Sequence, residues 1–130
     1  MELKMTTASS DPVQTLDLND NVIDTGPMGD CVSVIVLANP VGGKYQLGRG
    51  SHGGGGIENV NFAGLFTNIP NNPQTRIIMI SGTLNYSPYR MGQNEAYLQE
   101  RVAQHRLNSA QTQFVHNVPQ GSVNRQGQIS

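Results

Sequence analysis

The run Cys31-Val32-Ser33-Val34-Ile35-Val36-Leu37 constrains this chain more than any other segment. It is β-branched and almost continuously apolar, which reads as a strand covered on both faces, inside a sheet with a layer on either side. Asn39-Pro40 is expected to stop it. The Gly42-Gly43 turn then leads into Tyr45-Gln46-Leu47, a second strand that pairs back as a hairpin and runs toward His52. Arg76 to Gly82 is a second buried strand, and Val22 to Thr25 a short one ahead of the turn Gly26-Pro27-Met28-Gly29. The spacing predicts a helix over 94–107, free of Gly and Pro, with Asn94 as cap and Leu98 and Val102 four apart. Ile57 to Phe66 reads as a helical turn or two, Thr112 to Val118 as a strand, and Ser122 to Ile129 as an edge strand or tail. Together these give an α/β (α+β) sandwich: a mixed, mostly antiparallel sheet with one long helix and a shorter helical segment. Residues 1–15 are polar and turn-rich and read as a flexible N-terminal arm, leaving 16–130 as a single domain.

Composition narrows the function classes. Only 13% of the 130 residues are charged, and the net charge is −1. A nucleic-acid surface needs a basic excess, because phosphate neutralisation dominates that affinity, so no nucleic-acid partner is expected. One cysteine excludes an internal disulfide framework. The longest apolar run, Cys31 to Ala38, is too short to span a bilayer, so no membrane partner is expected either. The start Met1-Glu2-Leu3-Lys4-Met5 lacks the order of a secretory signal, which leads us to expect a soluble protein made without Sec export.

Two motifs look like ligand cradles and are read otherwise. Gly48-Arg49-Gly50-Ser51-His52-Gly53 has the G-x-G-x-x-G spacing, but three further glycines follow where a dinucleotide fold needs a helix to open. Gly42-Gly43-Lys44 lacks the upstream glycine and the Ser/Thr of a phosphate loop. His105 and His116 lack ligand spacing to each other or to Cys31, so neither a metal nor a cofactor is expected. The charges Glu95, Glu100, Arg101 and Arg106 read as a solvated helix face.

The lone thiol is the feature that carries chemistry. A cysteine is a useful nucleophile only as thiolate, which calls for a neighbouring base. In the hairpin the start of the first strand lies opposite the end of the second, so Cys31 and His52 meet at one end of the sheet. The plainer alternative, a small core residue at a strand start, fits the same position.

The segment Thr25-Gly26-Pro27-Met28-Gly29-Asp30-Cys31-Val32 resembles the motif of the chemoreceptor glutamine deamidase (CheD) family: a Thr, a spacer, Leu-Gly-Ser-Cys, then an apolar strand. In that family a downstream His completes a Thr/Cys/His set, and Gly50-Ser51-His52 occupies its place here. The deamidase domains of cytotoxic necrotizing factor and similar lethal-factor toxins share the Cys–His core and the sandwich fold. Met28 replaces the usual Leu, Asp30 the usual Ser, and the glycine run Gly53–Gly56 the usual apolar continuation, which favours a divergent, toxin-like relative. The resemblance implies a cysteine-dependent protein glutamine deamidase acting on a target protein through a thioester. His52 would take the proton of Cys31, the backbone N–H groups of Asp30 and Cys31 would hold the oxyanion, and Thr25 would orient His52 through its hydroxyl. Gly29, Gly50, Ser51 and Gly53 would frame an open cleft. The chain would work in the cytoplasm of its producer or be delivered to a host cell by a non-Sec route. A different Cys–His hydrolase, protease-like or transglutaminase-like, and a non-catalytic protein-binding domain remain as alternatives.

Overall fold

Gly42 and Gly43 adopt φ of 59° and 80°, the left-handed pair that a two-residue hairpin turn requires. Around that turn the rest of the chain is arranged. The structure, a computed structural model, describes residues 2–4, 14–15 and 21–130. In chain order the strands are β1 (Glu2–Lys4), β2 (Gln14–Thr15), β3 (Val22–Asp24), β4 (Val32–Val41), β5 (Lys44–Gly53), β6 (Arg76–Ser81), β7 (Gln111–Val115) and β8 (Ser122–Asn124). The helices are α1 (Phe62–Leu65) and α2 (Pro88–Gln104), with 3-10 turns at Ile57–Asn59 and Thr83–Asn85.

Two sheets form. The larger has the order β2-β5-β4-β6-β7 and the smaller β1-β3-β8. Among the described residues only β1/β3 and β6/β7 are parallel pairs; α2 lies in the connection between the latter two, as a parallel crossover demands. β4 is central, and successive residues of a strand face opposite layers. Its Val32, Val34 and Val36, with Ile77 and Met79 of β6, pack with Phe62 and Leu65 of α1 and Leu98 and Val102 of α2. Ile35 and Leu37, with Ile78 and Ile80, pack with Ile23 of β3 and Val123 of β8. The central sheet is thus covered by helices on one side and by the small sheet on the other, a mixed α/β sandwich with mostly antiparallel strands. Among the described residues no helix is long and apolar enough to cross a membrane.

Several boundaries differ from the sequence expectation. β4 runs past Asn39-Pro40 to Val41. β6 pairs with β4 only as far as Leu37, so beyond it one edge of β4 is open and the missing N–H of Pro40 breaks no ladder there. Cys31 lies one residue before β4 rather than within it. α2 starts at Pro88, six residues before Asn94: the Ser87 side chain accepts from the Arg90 N–H, and proline is tolerated in a first turn. Asn94 is consequently a buried residue inside the helix, not its cap. The segment expected as an arm contributes β1, which pairs with β3, and β2, which pairs with β5; the remainder of 1–15 lies outside the described residues.

Candidate active site

The hairpin register sets the site. With Val41 opposite Lys44, stepping back pairs Ser33 with His52 and Val32 with Gly53. His52 and Ser33 therefore share a face, and the alternation brings Cys31 onto the same face, where it packs at the edge of the small-sheet layer. Cys31 immediately precedes Val32, which pairs with Gly53, so it lies at the end of the hairpin that carries His52.

His52 is 2% exposed. Its Nδ1 lies 2.6 Å from the Thr25 carbonyl oxygen and 3.3 Å from Ser33 Oγ, while the Ser33 hydroxyl donates to Met28 Sδ at 3.4 Å. A carbonyl can only accept, so the hydrogen sits on Nδ1 and Nε2 carries the lone pair. Nε2 is buried and has no partner among the described residues. An imidazole clamped at one nitrogen and free at the other is oriented as a base.

Cys31 is half-buried, and its thiol donates to Asp30 Oδ1 at 3.7 Å. Thiol and imidazole are thus on one side of the sheet but not hydrogen-bonded to each other. The turn that delivers the thiol is held on three sides. The Met28 N–H donates to the Pro119 carbonyl, the Leu84 N–H to the Gly29 carbonyl and the Gly82 N–H to the Cys31 carbonyl. Any side chain at Gly82 would collide with the Gly29 carbonyl, so glycine is required where the end of β6 crosses the turn. The N–H groups of Asp30 and Cys31 have no acceptor among the described residues, which leaves them available to an oxyanion.

Thr25 takes a different part from the one expected. Its hydroxyl is buried, donating to the Gly26 carbonyl at 2.8 Å and accepting from the Gly121 N–H at 3.0 Å. Neither of these bonds involves His52, whose Nδ1 is held by the main-chain carbonyl of Thr25 instead. Asp24 supports the same turn, accepting from the Gly26 N–H and from Gln120 Nε2.

Of the four residues expected to frame an open cleft, only Gly29 adjoins the turn before Cys31. Gly50, Ser51 and Gly53 belong to β5 and are buried. Ser51 faces the helical layer, where its Oγ accepts from the Asn61 N–H, because neighbouring strand residues point to opposite sides. Gly53 is wedged against Gly56, Val60 and Val32 with no room for a side chain. Gly53 is therefore close packing, while Gly55 is exposed and, like Gly56, takes a positive φ in the turn that follows β5. His105 lies against the Phe66 ring and His116 bonds Glu95 at 2.9 Å, so neither joins the site. Glu95 is accordingly paired, and Arg101 stacks on Tyr97, so that helix face is not merely solvated.

Two site residues went unread in the sequence. Ser33 had a signal, being the polar residue in a buried strand that a two-residue turn pairs with His52. Asn85, whose side chain reaches the Cys31 carbonyl, had none. No family model matches this chain, and no curated protein matches it in sequence.

Proposed function

We propose that the chain is a cysteine-dependent protein glutamine deamidase, related to the chemoreceptor and necrotizing-factor enzymes and closer in character to the toxins. The observation that carries this reading is His52, fixed through Nδ1 by the Thr25 carbonyl, with a free, buried Nε2 on the face that Cys31 shares. In the reaction His52 Nε2 takes the thiol proton and the sulfur attacks the carboxamide carbon of a substrate glutamine. The oxyanion is held by the N–H groups of Asp30 and Cys31. The imidazolium then protonates departing ammonia, leaving a thioester. Water, deprotonated by His52, hydrolyses it to glutamate and returns the thiol.

A protein substrate suits the surroundings. Leu84, Tyr86 and Tyr89 are 70%, 60% and 74% exposed, and Leu84 bonds the Gly29 carbonyl two residues from the nucleophile. Such an apolar rim fits residues flanking a target glutamine better than a free amino acid. A single free thiol suits a reducing cytoplasm, whether of the producer or of a host cell reached by a non-Sec route.

The test has two stages. Alkylation of Cys31 by iodoacetamide at neutral pH is compared in wild type and His52→Ala. An unassisted thiol is only a few per cent thiolate there, so a base-assisted one reacts about tenfold faster or more, and the excess disappears in His52→Ala. Equal rates would return Cys31 to the core residues. Mass spectrometry of a lysate treated with wild type and with Cys31→Ala then identifies the product. Gln-to-Glu conversion supports deamidation, whereas amine adducts or cleaved peptides redirect the same thiol to transglutamination or proteolysis.

A further inference from the structure

Asn85 closes the 3-10 turn after β6 and is 2% exposed. Its Nδ2 donates to the Cys31 carbonyl at 3.4 Å, and its Oδ1 accepts from Asn94 Nδ2 at 3.3 Å. Asn94 lies on α2, 8% exposed. Two buried carboxamides are tolerated here because they are hydrogen-bonded, and asparagine is a weak helix former, so helix propensity does not account for Asn94. The carbonyl they serve already has a donor in the Gly82 N–H, at 2.9 Å. One donor satisfies a carbonyl; a second fixes its direction.

That direction matters because Cys31 stands outside β4. Its own N–H has no acceptor among the described residues; the peptide that follows it is held at its nitrogen end by Val32, the first residue of β4, and at its carbonyl by Gly82 and Asn85. Fixing its carbonyl limits the direction of the Cα–Cβ bond, and with it the positions open to the sulfur. We propose that Asn85 is a positioning residue for the Cys31 nucleophile, anchored to α2 through Asn94. The inference rests on the thiol reading above and adds to it the element that sets the thiol's approach.

The readout is the excess of the iodoacetamide alkylation rate over the same protein carrying His52→Ala, measured alongside thermal melting. Asn85→Ala is expected to cut that excess about fivefold or more, since small displacements of a reacting group are costly in rate. Asn94→Ala, which leaves the Cys31 contact but frees its anchor, is expected to cut it about two- to threefold. A merely structural tie lowers the melting temperature and leaves the excess whole; that result overturns the proposal while the thiol reading stands. Should Asn85→Ala fail to fold, an undiminished excess in Asn94→Ala overturns the proposal. A wild type with no His52-dependent excess overturns the thiol reading and this proposal together.

Discussion

Thr25→Val separates the two jobs that a threonine in this position can do. Valine matches threonine in shape and keeps the main-chain carbonyl that bonds His52 Nδ1, but it deletes the hydroxyl. The Gly121 N–H then loses its acceptor and the Gly26 carbonyl its donor, both in buried surroundings. A buried polar group left unpaired costs about 1–3 kcal/mol, so the pair is expected to cost about 3 kcal/mol. For 130 residues, with an unfolding entropy of about 2.1 cal/mol/K per residue, this lowers the melting temperature by about 10 °C. The second arm is reactivity. Alkylation of Cys31 at a temperature where the variant is folded is expected to keep its full dependence on His52. A variant melting within about 2 °C of wild type, yet stripped of that dependence, would refute the reasoning and return the orienting role to the hydroxyl.

Three further outcomes follow from the same geometry. Asp30→Ser removes the carboxylate to which the thiol donates and is expected to speed alkylation about two- to fivefold, the scale of an exposed polar interaction; a slower reaction would mean that Asp30 assists. Gly82→Ala forces a methyl group into the Gly29 carbonyl and is expected to destabilise by about 2 kcal/mol or more in thermal melts. An unchanged melting temperature would show that the turn can yield. Replacing Leu84, Tyr86 and Tyr89 together by serine is expected to leave iodoacetamide alkylation unchanged and to reduce deamidation of a protein target about tenfold or more. Equal loss with both reagents would locate the damage in the site instead of the rim.

What the sequence disclosed follows from which interactions are local. Gly42-Gly43 specifies its own turn, and the turn specifies the register, so the hairpin and the shared face of Cys31 and His52 are legible residue by residue. The Arg76–Ser81 strand is legible for the same reason as β4: a short apolar run rich in β-branched residues. Proline misled at Pro40, and α2 begins at Pro88, ahead of the expected window, because the effect of a proline depends on what stands beside it. Pro40 lies where β4 has lost one neighbour, and Pro88 follows a capping serine. The orienter of His52 is a carbonyl, which every residue possesses, so no side-chain pattern announces it. Asn85 and Asn94 meet only because β6 and α2 pack together, and their sequence neighbours give no hint of it.

The separation of the hairpin from the parts that orient it has a kinetic consequence. Cys31 and His52 belong to a unit closed by two residues, which forms on the microsecond scale of hairpins. Thr25 arrives with β3, and β3 pairs with β8 from the far end of the chain, a long-range closure that comes late in folding. Cys31 and His52 are therefore expected to come together before His52 is oriented. In a refolding experiment, rapid alkylation is expected to lag behind the strand signal and to rise with closure of the small sheet. The same closure opens first under mild destabilisation, so reactivity at Cys31 reports the integrity of a layer in which the thiol itself has no strand.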